Sequence, residues 1–156
     1  MKPESVTIKN LESAFAGESM AHIKYLYFAK LCRAAGDIDT ARVFEETAAQ
    51  EVQHAFGHLD LLYPAAQLTP AKALEMAIAG ETYEYTEMYP QFRHLAEQEG
   101  NQKAVAEMDE QIVESKEHAQ RFHDTLAKAA KRFAALAKVE ERHANQYRAT
   151  LAKVNA

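Results

Sequence analysis

A single cysteine, Cys32, leaves this chain without a partner for an intrachain disulfide and excludes a four-cysteine iron or zinc site within it. Its expected place is half-buried on a helix. Glycine and proline are scarce, at five and four residues, and neither occurs after residue 100. A chain so short of turn-formers, and so rich in Ala, Glu, Lys, Gln and Leu, favours helix almost throughout. No apolar run approaches the ~18 residues of a membrane span. The opening Met-Lys-Pro-Glu-Ser carries no apolar signal region. The formal charge of −5 comes without a basic stripe, which argues against a nucleic-acid partner. These absences predict a soluble, cytoplasmic protein. At 156 residues the expectation is a single domain, 1–156, with a real core.

Apolar residues such as Leu11, Phe15, Ile23, Leu26 and Leu31 recur at roughly helical spacing. Helices are predicted over 6–35, 38–63, 70–99, 101–128 and 129–154. Gly36-Asp37 closes the first in the manner of a helix C-cap, and Pro64 stops the second. Thr69-Pro70 opens the third as an N-cap followed by proline at the first helical position. Gly100-Asn101 is the next break. Pro90 lies inside the third helix and is expected to kink it, because its missing N–H removes one ladder bond.

Two repeats stand out. Residues 14–19, Ala-Phe-Ala-Gly-Glu-Ser, match residues 77–82, Ala-Ile-Ala-Gly-Glu-Thr. Each copy is followed further on by a Glu-x-x-His, first Glu51 with His54, then Glu140 with His143. One helix pair donating a Glu and a Glu-x-x-His, twice over, is the ligand set of a two-metal site inside a four-helix bundle. The i, i+3 spacing puts carboxylate and imidazole on one helix face. Glu18 and Glu81 are then terminal carboxylates, and Glu51 and Glu140 bridge beside His54 and His143. Glu84, three residues after Glu81, faces the same way. Oxygen and nitrogen donors without thiolate suit iron or manganese and disfavour a structural zinc site. A lone Glu or His on a helix is usually a solvated group. The doubling of the whole set, among Ala, Phe, Leu and Tyr flanks, is what lifts these residues above that background. Tyr25, Tyr27, Tyr83, Tyr85 and Tyr89 cluster within a few turns of Glu18 and Glu81, as packing residues or as hydrogen-bond donors to ligand carboxylates. His22, His58, His94 and His123 lie outside any motif and are expected at the surface.

The second repeat is local. His118-Ala-Gln-Arg-Phe-His-Asp-Thr-Leu-Ala-Lys matches His143-Ala-Asn-Gln-Tyr-Arg-Ala-Thr-Leu-Ala-Lys at an offset of 25 residues, close to seven helical turns. In the first copy Ser115 stands where the second has Glu140. The first copy keeps Glu114, which shares a face with His118.

Gly17-Glu18-Ser19-Met20, Tyr25-Leu26-Tyr27-Phe28-Ala29 and Glu51-Val52-Gln53-His54-Ala55 together resemble the diiron domain of rubrerythrins. Ala79-Gly80-Glu81-Thr82-Tyr83-Glu84-Tyr85-Thr86-Glu87-Met88-Tyr89-Pro90 is an especially specific match, and Phe133 to Ala144 resembles the family's last bundle helix. The resemblance implies a ferritin-like four-helix bundle with an extended or duplicated last helix. It implies two iron ions as cofactor, which manganese or zinc can replace, held by Glu18, Glu51, His54, Glu81, Glu84, Glu140 and His143. The implied activity is reduction of hydrogen peroxide to water in oxidative-stress defence. His54 and Glu84 would exchange as ligands on redox change, with Glu51 and Glu140 completing the catalytic set. The chain resembles the shorter members that lack a rubredoxin module, so an external donor, rubredoxin-like or another reductase, is implied. A homodimer is the expected assembly, and exchange of helix pairs between two chains is a further form of it.

The fourth helix stays open at this stage. If the chain turns at Gly100, the spacing of the family it resembles puts Ser115 and His118 at the level of the site. A turn near Glu110, or a hairpin near Ala129, brings Glu140 and His143 there. The complete motif favours Glu140 and His143, with Glu114 and His118 as the alternative pair. Two rival functions remain beside the peroxidase. One is a ferritin-like ferroxidase or iron-handling protein; the other is a metal-poor helical interaction module.

Overall fold

The computed structural model describes residues 5–154; the leader expectation, read on residues 1–5, falls almost wholly outside them. The described residues form helices joined by short turns, with no strand among them. The chain divides into two compact units, one ending at Leu68 and the other starting at Thr69.

The first unit is a hairpin of α1 (Val6–Ala34) and α2 (Ile38–Leu62). Gly36, at φ 84°, makes the turn; it takes the left-handed conformation that other residues resist. The N–H of Asp37 reaches back to the Cys32 carbonyl at 2.9 Å, closing α1. Asp37 then opens α2 by accepting from the Thr40 N–H at 3.1 Å. The buried stripe of α2 is Ala41, Ala48 and Ala55, one small residue per heptad. With only a methyl group at each contact, α1 can approach closely, and Ala29 is buried from its side. Phe44 fills the remaining space against Tyr25 and Phe28, with ring centroids 5.9 and 5.5 Å away. At the hairpin's closed end, Arg33 grips Glu45 through two bonds of 2.7 and 2.6 Å.

The second unit starts at α3 (Pro70–Tyr83), capped by Thr69, whose hydroxyl accepts from the Lys72 N–H at 3.2 Å. A π-helical turn, Glu84–Met88, follows and leads directly into α4 (Tyr89–Gln98). Pro90 explains the interruption. It lacks an N–H, and the ladder adjusts by a wider turn in which the Tyr89 N–H reaches the Glu84 carbonyl, five residues back. Gly100, at φ 72°, then reverses the chain, and Asn101 caps the next helix by accepting from the Ala104 N–H at 3.2 Å. That helix, α5 (Gln102–Val154), runs unbroken for 53 residues. Separate helices over 101–128 and 129–154 are therefore not formed: no Gly or Pro interrupts the stretch.

α5 runs back along α4 and α3. Arg93 of α4 donates to Asp109 at 2.6 Å, and Glu84 and Glu81 meet Ser115 and His118 further along. Residues 70–98 extend about 43 Å, whereas α5 is about 80 Å long at 1.5 Å per residue. In this antiparallel register Pro70 lies opposite about residue 129, so α5 outruns α3. The stretch beyond carries exposed Phe133, Leu136, Tyr147 and Leu151.

The close contact of α1 with α2 gives a direct test. Ala48 is fully buried, and Ala48→Leu should force the helices apart and cost about 1–3 kcal/mol, read as a lowered Tm.

Candidate metal centre

The first unit brings three ligand residues together. Glu18 of α1 meets Glu51 and His54 of α2, and a donor atom from each lies within 4.8 Å of the others. Helical spacing does this: Glu51 and His54 are three apart and share a face, and the hairpin sets Glu18 opposite. Glu51 is mostly covered, whereas the His54 side chain is 59% exposed and donates through Nδ1 to Glu51 Oε2 at 2.9 Å. Two carboxylates and an imidazole, without thiolate, form a donor set that fits a divalent iron or manganese ion.

His22, expected at the surface, is partly buried instead. It donates through Nδ1 to the Ala48 carbonyl at 2.7 Å, tying α1 to α2 one turn from Glu18. Only contact between helices, 26 residues apart in sequence, could have revealed this role.

The second unit presents Glu81, Glu84 and His118. His118 Nδ1 lies 3.5 Å from Glu81 Oε1. Ser115, 3% exposed, donates from its hydroxyl to Glu84 Oε2 at 3.0 Å. Glu84 heads the π-helical turn, a feature that often marks functional positions. Tyr89 stands at its other end. Burial first, and then the charges of Glu84, Glu81 and Glu107, raise the Tyr89 pKa and keep its phenol protonated.

Glu140 and His143 are not part of this group. They sit about 37 Å further along α5 than Ser115 and His118, at 1.5 Å per residue. Their side chains are 76% and 53% exposed, and their nearest charged atoms are 4.0 Å apart. The turn at Gly100 sets the first copy of the repeat, not the second, against α3. Glu114 does not take the vacated role either; it is exposed, one residue from the buried position.

The rubrerythrin family profile matches residues 9–126, which takes in Ser115 and His118 and stops before the second copy. The chain belongs to the rubrerythrin family. It is 37% identical over 131 residues to a rubrerythrin of Nitratidesulfovibrio vulgaris, covering 77% of this chain and 69% of that protein. With a Porphyromonas gingivalis rubrerythrin it shares 38% over 135 residues, covering 79% of this chain and 67% of the relative. A structure of fully reduced, all-ferrous nigerythrin matches 82% of this chain and 70% of its own at 34% identity, with a TM-score of 0.41. Membership fixes the class as all-α and ferritin-like, with the last helix extended by the second repeat copy. No helix among the described residues is long and apolar enough to cross a membrane.

The two repeat copies can be told apart by metal content. His118→Gln should lower the manganese or iron bound per chain, whereas Glu140→Gln and His143→Gln should leave it unchanged. Elemental analysis after equilibrium dialysis reads both.

Proposed function

We propose that this rubrerythrin is a non-haem diiron peroxidase that reduces hydrogen peroxide to water in oxidative-stress defence. The observation that carries the reading is the convergence of Glu18, Glu51 and His54 across the α1–α2 hairpin, in a chain of this family. In the second unit, Glu81, Glu84 and His118 are the donors that would hold a metal ion. Ferrous ions held by these residues would supply two electrons and Lewis-acid polarisation of the peroxide.

The protein's own residues have three tasks. Anionic Glu18, Glu51, Glu81 and Glu84 offset the metal charge, which neutral ligands alone would leave uncompensated. His54 is exposed enough to turn, and Glu51 fixes its tautomer by taking the Nδ1 proton in a hydrogen bond, which leaves Nε2 free as a donor to metal. Cleaving the O–O bond and forming two waters takes two protons. Tyr89, protonated beside Glu84 and Glu81, is a donor able to hold or pass one of them. Electrons come from outside these 156 residues, since one cysteine cannot build a four-cysteine iron centre. A soluble cytoplasmic setting and a homodimer, with helix pairs exchanged between chains as one form, belong to the same proposal.

The test is anaerobic. The protein is loaded with ferrous iron, and its oxidation by peroxide is compared with that by oxygen. Two irons per chain and a marked preference for peroxide are expected. Equal or faster reaction with oxygen would make the chain a ferroxidase or iron-handling protein, and no iron binding would leave only a helical module. Glu51→Ala should lose most of the iron; two tightly held irons in that variant would sink the ligand assignment.

A further inference from the structure

Ser115 occupies an unusual place. Among the described residues it is the one polar side chain that is buried, and it lies in the packed copy of the repeat where the unpacked copy has Glu140. The three-residue spacing to the histidine is kept, as Ser115-x-x-His118 against Glu140-x-x-His143. His118 faces Glu81 at 3.5 Å, so the helix face is the one turned towards the ligands. A carboxylate in that position would be an acceptor and a negative charge. A serine hydroxyl keeps its proton at neutral pH and has one to donate. That proton goes to Glu84 Oε2 at 3.0 Å.

We infer that Ser115 is a positioning residue that anchors Glu84 and sets the reduction potential of the metal that Glu81, Glu84 and His118 would hold. The inference rests on the diiron reading above. Two effects act together. Donation by Ser115 ties one carboxylate oxygen of Glu84, so the side chain is held where α5 puts it and its other oxygen is left to ligate. Replacing an anion by a neutral hydroxyl also removes one negative charge from the Glu81, Glu84 and His118 group. Negative charge beside a metal favours its higher oxidation state. With Ser115 in place the reduced state is therefore favoured, relative to the same chain carrying a glutamate there.

Three substitutions of the full chain, loaded with ferrous iron, test this: Ser115→Glu, Ser115→Ala and Ser115→Thr. The readouts are iron per chain, iron affinity by competition with a chelator, and midpoint potential by anaerobic spectroelectrochemical titration. Ser115→Glu is expected to shift the midpoint to lower potential. Ser115→Ala is expected to weaken iron binding about 2- to 10-fold by freeing Glu84, the scale of one lost hydrogen bond. Ser115→Thr keeps the hydroxyl and should restore wild-type affinity, which a purely steric role would not produce. If Ser115→Ala and Ser115→Glu both match the wild type in affinity and potential, the inference is overturned and the diiron reading stands. If Ser115→Glu fails to fold, the contrast between alanine and threonine decides alone. If the wild-type chain binds no iron, the diiron reading falls and the inference with it.

Discussion

The left-handed turn at Gly100 sets the register of α5 against α3, and every ligand assignment in the second unit depends on it. Two antiparallel helices joined by a tight turn have little freedom to slide. Once Gly100 reverses the chain, Arg93 must meet the region of Asp109, and Glu84 and Glu81 must meet Ser115 and His118. A ligand needs its chemistry and also its level along the helix. The turn supplies the level, and it selects the copy of the repeat with the poorer chemistry.

This explains which parts of the structure were legible in the residues. Gly36, Pro64, Thr69-Pro70 and Gly100 act locally, each through its own backbone restriction, and the helix ends fall beside them. Glu18, Glu51 and His54 were legible too, because a Glu-x-x-His and a hairpin are nearly sufficient to bring them together. Glu140 and His143 lie apart from Glu81 and Glu84 because motif completeness is a local property, whereas register is set far away. The continuity of α5 was hidden for a related reason. The duplicated pattern suggests two elements, but no Gly or Pro between 101 and 154 breaks the backbone. His22 shows the limit from another side, since its partner is a main-chain carbonyl on α2 that no motif encodes.

The two units also differ in how their donors are prepared. In the first, His54 is exposed and tied only to Glu51, its neighbour on the same helix, so its ring can reorient at small cost. In the second, Glu84 is fixed twice. It heads a π-helical turn made necessary by Pro90, and it accepts a hydrogen bond from a buried hydroxyl on the facing helix. A backbone widened at one residue and pinned from across the interface resists rotation. Of the two, His54 is the side chain freer to reorient.

The intact second motif offers a metal ion less than the first unit does. Glu140 and His143 offer two donors from one helix, both open to water and 4.0 Å apart at their nearest charged atoms. Two exposed ligands compete with the full hydration shell of an iron or manganese ion and gain little from the exchange. The first unit differs because α1 brings a third donor to the same point, and because Glu51 is already partly withdrawn from solvent. Convergence from more than one helix turns a spacing into a centre. A Glu-x-x-His is therefore evidence for a ligand only as far as the packing can be shown to place another helix in front of it.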